Sequence, residues 1–267
     1  MTVGSLAEAD TRESPEQASA AKAKIQPLAA RFLRAMKKVE ALAPPDAGSP
    51  LSKLDALTTP FNTTELVVSN LHVGIDNLRM FFRYLKKTNE LPMLAHYGLI
   101  RSAVEATSYG LWVLAGKQQA GASRTLRMAH ADQENARQLF ETLGVSVWDT
   151  EQMQRLVRER HEALSGIKRS DLEKAVQATN TIAAVEAHFG SRAGFTGLHV
   201  WRATSGLTHG SPAAMVALLE RAPDGTRTSR IVWSVAFLEA AIENIEALLA
   251  RVEDLRCVLP RARGAQG

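Results

Sequence analysis

The fold class this sequence predicts is all-α: an antiparallel bundle of eight to nine helices. Three observations carry that reading. Aromatics make up only 6% of the 267 residues, while Ala and Leu abound, a bias that favours helix over strand. Apolar residues recur at helical spacing through most of the chain. Ser, Thr, Asn or Asp stand where helices would begin, and Gly or Asn where they would end.

Each element follows from these signals. Residues 1–13 are small, polar and acidic and read as a disordered N-terminal segment. Ser14-Pro15-Glu16-Gln17 is a capping box that opens a helix to about Ala43, and Pro27 inside it predicts a kink or a break. Pro44 to Pro50 is a loop, followed by a short helical piece near Leu51–Leu57. Asn62 caps a helix that carries Leu71, Ile75, Leu78 and Phe82 to Asn89. Pro92 opens the next, which stops at Gly116. A helix from Ser123 to Leu143 ends at Gly144. Asp149 begins a polar helix to Gly166, and Ser170-Asp171-Leu172-Glu173 begins another that ends near Gly190. Helices from Thr196 and from Ser211-Pro212 follow. Ala222-Pro223-Asp224-Gly225 forms a turn that a short strand pair could flank. The final helix, about Ser229 to Leu255, bears a long apolar stripe that could pack internally or across a dimer. The short connections imply antiparallel neighbours in one domain, 14–258, with a flexible tail at 259–267.

Composition excludes several function classes. Hydrophobic content of 45% with 22% charge is that of a globular domain. The apolar runs Leu99–Leu114 and Val232–Ile242 are broken by Arg101, Glu105 and Glu239, so no membrane span is expected. The acidic N-terminus lacks the apolar core of a secretory signal. A single cysteine, Cys257, suits a reducing compartment, and a cytoplasmic location is expected. The net charge is +4, which permits a polyanion partner without demanding one. No Glu or Asp is followed by His three residues later, and His-Glu-x-x-His and Cys-x-x-Cys are absent. No Gly-rich nucleotide loop is present either, so no cofactor or metal is expected.

The informative segment is Trp201-Arg202-Ala203-Thr204-Ser205-Gly206-Leu207-Thr208-His209-Gly210. Seven residues are almost two helical turns, so Arg202 and His209 share a face, about 10 Å apart by rise, with Ser205 on the same polar stripe. Trp201 and Leu198 then face the core. Such a pair suits RNA cleavage without a metal. Histidine can take the proton of a ribose 2′-hydroxyl or protonate the leaving oxygen. Arginine can clamp the phosphate through parallel hydrogen bonds. The bland alternative is a histidine that caps the helix C-terminus beside an unrelated surface arginine.

In this motif, Arg202, six residues, then His209, the chain resembles the HEPN superfamily of prokaryotic helical proteins. The resemblance implies an all-α bundle, often a homodimer, with a composite active site at the dimer interface. It implies metal-independent endoribonuclease activity in toxin–antitoxin or antiviral defence, RNA as substrate, and an antitoxin or defence protein as partner. Arg202 would be the phosphate clamp and His209 the acid/base. Active members usually carry a polar residue directly after the arginine, where this chain has Ala203; inactive members that only bind nucleotides or partners share the fold.

Two further clusters could support such a site. Arg101 and Glu105 are four apart within an apolar helix, as an intrahelical ion pair or as groups that orient Arg202 and His209 from a facing helix. Arg155, Arg158, Lys168 and Arg169 belong to a basic run that could track RNA phosphates or form a solvated face diluted by Glu159 and Glu162. The alternative to the enzyme is a non-catalytic interaction, scaffold or regulatory protein of the same fold.

Overall fold

The computed structural model describes residues 13–145, 149–190, 196–221 and 227–258. The all-α reading holds. Among the described residues there are ten α-helices, one or two more than the sequence implied. They are α1 (Pro15–Glu40), α2 (Pro50–Thr58), α3 (Thr63–Thr88), α4 (Ala95–Val113), α5 (Gln118–Leu143), α6 (Thr150–Glu162), α7 (Ala178–Phe189), α8 (Gly197–Thr208), α9 (Pro212–Leu218) and α10 (Ile231–Arg256). The strand pair left open by the sequence is present: β1 (Leu219–Arg221) pairs antiparallel with β2 (Arg227–Ser229). The readings of residues 1–12 and of the tail 259–267 lie outside the described residues.

Most helix starts sit where the side chains dictate. Ser14, Ser49, Asn62, Asp149, Thr196 and Ser211 each accept a backbone N–H of the first turn, which would otherwise lack a partner. Asn89 and Gly144 close α3 and α5 in the left-handed conformation. α1 runs through Pro27 as one helix.

One start differs. The capping pattern at Ser170 yields only a 3-10 turn, Arg169–Asp171, and α7 begins later, at Ala178. The reason lies on α5. The Arg127 guanidinium, set over the Trp112 ring, donates to the carbonyls of Lys174 and Ala175. Held there, these carbonyls have a partner outside any helix, and the segment stays irregular.

α4 is the centre of the bundle. It packs on α3, α10, α8 and α7, and twelve of its residues are buried. Two glycines set how closely the helices approach. A Cβ on Gly74 of α3 would lie 2.8 Å from Thr107 Cγ2, and one on Gly110 of α4 would lie 2.6 Å from Leu248 Cδ2. The apolar stripe of α10 (Leu238, Ile242, Ile245, Leu248, Leu249 and Val252) is buried in this core and is therefore not available to a second copy.

α10 lacks a local cap. Its first N–H groups, of Ile231 and Val232, donate to the two oxygens of Glu13, 2.9 and 2.8 Å away. The Glu13 backbone N–H in turn donates to Glu220. The last residue of the segment read as disordered thus ties the start of the chain to its final helix.

Beneath this tie, Ser234 Oγ lies 2.8 Å from the Arg230 carbonyl, 2.9 Å from His96 Nε2 and 3.2 Å from the Tyr97 hydroxyl. His96 is 1% exposed, and burial lowers its pKa from 6.5 to about 4. The folded protein therefore keeps His96 neutral where the unfolded chain would protonate it, and stability falls as pH drops. The loss begins near pH 6.5 and reaches roughly 3 kcal/mol by about pH 4. Glu13, raised by burial, contributes in the opposite direction. Urea denaturation of His96→Phe and of the unchanged protein should show a shallower pH slope in the variant over this window. Identical slopes would remove the assignment.

Candidate functional site at helix α8

α8 is fixed at both ends and along one side. At its start, Thr196 Oγ1 accepts the His199 N–H at 3.3 Å, and Glu186 of α7 accepts the Leu198 N–H at 2.7 Å. At its end, the Ser211 N–H reaches the Gly206 carbonyl and the Gly210 N–H reaches that of Leu207, with Gly210 at φ +69°. This paired closure requires the left-handed conformation that glycine adopts without a Cβ penalty. It makes His209 the C-cap residue.

The side facing α4 carries a polar bracket. Arg101 Nη1 donates to Thr208 Oγ1 at 3.1 Å, and its guanidinium lies 5.1 Å from the Trp201 ring centroid. Arg101 Nε is 3.7 Å from Glu105 Oε2, and that same oxygen accepts the Trp201 indole N–H at 2.8 Å. Tyr109 donates to the other Glu105 oxygen at 3.4 Å. Burial, then the Glu105 charge, pushes the Tyr109 hydroxyl up to about 12. The expected ion pair of Arg101 and Glu105 is present and half-buried, and it also joins α4 to α8 through Trp201 and Thr208.

Arg202 and His209 lie elsewhere on α8. The buried residues of the helix are Val200, Thr204 and Leu207. Arg202 projects roughly opposite them, at about 140–160° around the helix axis. Both Arg202 and His209 are exposed, and neither side chain makes a hydrogen bond or ion pair with a described residue. Ser205 is half-buried beside them, its carbonyl accepting the His209 N–H at 3.0 Å. Arg101 and Glu105 therefore touch the chain neighbours of the pair, Trp201 and Thr208, and not the pair itself. Trp201 and Leu198 are partly buried against the core, as the sequence implied.

The basic run belongs to another part of the bundle. α6 packs on α5 and α2, whereas α8 packs on α4, α9, α7 and α10. Arg155 and Lys168 are exposed and Arg158 is half-buried. Arg169 is exposed and paired with Glu162 at 3.1 Å. Among the described residues, no three His, Cys, Asp or Glu side chains are grouped to hold a metal ion, and no helix is long and apolar enough to cross a membrane. Cys257 caps the end of α10, half-buried.

Sequence reasoning missed three polar contacts: the Trp201–Glu105 bond, the Glu13 cap, and a buried 2.9 Å bond between Ser123 and His161 that ties α6 to α5. Each joins residues far apart in the chain, and no local pattern announces them.

Compared with known proteins, the chain matches no family model, no curated protein and no solved structure.

Proposed function

We propose that this protein is a HEPN-like, metal-independent endoribonuclease of toxin or antiviral defence, with Arg202 and His209 as its catalytic pair. The observation that supports this reading is their placement. An arginine and a histidine, seven residues apart on one outer face of a rigidly capped helix, are both exposed and both unengaged by described residues. A face of that kind is open to RNA and to the α8 of a second copy, which is the composite arrangement the resemblance implies.

The chemistry needs few groups. The ribose 2′-oxygen attacks phosphorus as its proton leaves, the P–O5′ bond breaks, and the departing 5′-oxygen gains a proton. Imidazole can serve either proton transfer, and a guanidinium can hold the phosphate oxygens as charge builds. The products are a 2′,3′-cyclic phosphate and a 5′-hydroxyl.

The test uses the full chain in the presence of a chelator. Single-stranded RNA is expected to yield fragments ending in 2′,3′-cyclic phosphate. Intact RNA at high enzyme concentration would remove the activity. It would leave the second reading, a non-catalytic helical interaction or scaffold protein, which Ala203 beside Arg202 favours.

A further inference from the structure

α1 leans on α10 and touches α3 only sparingly. The gap over α3 is a groove of about 800 Å³. Its walls are Ile25, Ala29, Leu33 and Met36 of α1 and Phe82 and Leu85 of α3. Phe82 stacks on buried Phe32 in the floor, ring centroids 5.1 Å apart. Leu33 stands 49% exposed on the lip, although burying a leucine side chain is favourable. The lining runs from Ile25 to Glu40, about 22 Å along α1, or four turns.

Charge distinguishes these two helices from the rest of the molecule. α1 and α3 together hold ten Lys and Arg against four Asp and Glu, an excess of six. The whole chain carries only +4, so everything outside these two helices sums to −2. Arg31 and Lys38 are spent on the acids of α10. On the groove's edge, Arg79 meets Glu40 at 3.2 Å, while Arg83 and Lys86 are exposed and pair with no described residue. Residues 79, 83 and 86 recur at helical spacing, so one row of cations borders the apolar trough.

From this geometry we infer that the α1–α3 groove docks an amphipathic helix of a partner protein, its leucine-type face in the trough and its acidic flank on Arg83 and Lys86. The length fits one helix of about four turns, read through anchors at i, i+3 or i+4, and i+7. A second copy of the same face fits poorly, because it would set cations against cations. A bilayer fits poorly because the surface is concave. RNA fits poorly because the groove offers little aromatic surface to stack a base on: Phe32 is 2% exposed and Phe82, stacked on it, is half-buried. The inference is independent of the RNA chemistry at α8.

The probe is a fluorescein-labelled helical peptide of about 16 residues with leucines at those spacings and glutamates on the flanks. Anisotropy against the full chain should show saturable binding that weakens with salt. A lysine-flanked peptide and a scrambled one should bind at least about tenfold more weakly. So should the first peptide to R83E/K86E and to L33D, whose thermal midpoints should match the unchanged protein because all three side chains are exposed. Equal binding of the glutamate and lysine peptides, or full binding to both variants, overturns the proposal. So does a dimer that L33D dissociates, which would make the occupant a second copy. Loss in these variants of binding to phosphatidylglycerol vesicles or to single-stranded RNA, with no binding of the peptide, overturns it equally.

Discussion

Replacing His209 with alanine is expected to lower cleavage of single-stranded RNA by about 10²–10⁴-fold, the usual contribution of a positioned general acid or base. Arg202→Ala should act in the same direction, and Arg202→Lys should recover only part of the rate, since an ammonium keeps the charge but not the paired donors. The placement of both residues makes the test clean. His209 and Arg202 are exposed and bonded to no described side chain, so neither substitution breaks a hydrogen bond or ion pair with one. Thermal midpoints should therefore stay put while the rate falls. The measurement is the initial rate of cyclic-phosphate formation with chelator present. Cleavage by the His209→Ala protein at the unchanged rate would dismiss the mechanism.

The second large effect is on stability. Gly110→Leu should destabilise the protein by roughly 3 kcal/mol or more. Glycine in a helix interior normally costs about 1 kcal/mol relative to better helix formers, so a substitution there would stabilise if space allowed. Space does not allow it. The first carbon of any side chain would sit 2.6 Å from Leu248 Cδ2 and 3.0 Å from Cδ1, and Leu248 is fully buried. To make room, Leu248 would have to displace the core shared by α3, α4 and α10. Gly110→Ala should cost less, about 1–3 kcal/mol, because only the tip of Leu248 must turn. Urea denaturation followed by circular dichroism measures both, and a Gly110→Leu protein as stable as the original would mean that the helices are not held this close.

How much of this was legible in the sequence depends on the range of the interaction. The caps at Ser14, Asn62, Asp149, Thr196 and Ser211, and the left-handed ends at Asn89 and Gly144, are local, and they fall where the residues say. The sequence places the start of α5 at Ser123 because the N-cap residue, Lys117, makes no side-chain cap, so the true first turn carries no signal. Ser170 carried a signal that Arg127, from another helix, overrode. At the candidate site the same division holds. The shared face of Arg202 and His209 follows from helical periodicity alone. That Glu105 would hold the Trp201 indole, 96 residues away, does not. The basic groove is invisible for a related reason: the net +4 of α1 and +2 of α3 can be counted along the chain, but only the packing sets the row of Arg79, Arg83 and Lys86 beside the apolar side of α1.

The junction between Glu13 and α10 has a bearing on how the chain is made. α1 packs chiefly on α10, and Glu13 completes the α10 N-terminus, yet some 190 residues separate the end of one helix from the start of the other. At bacterial or eukaryotic synthesis rates, α1 leaves the ribosome about 10–40 s before its partner exists. During that interval the side of α1 that packs on α10 has no cover. Nascent chains stalled before Ile231 should thus hold α1 accessible to protease and chaperone, with protection arriving only when the last helix emerges.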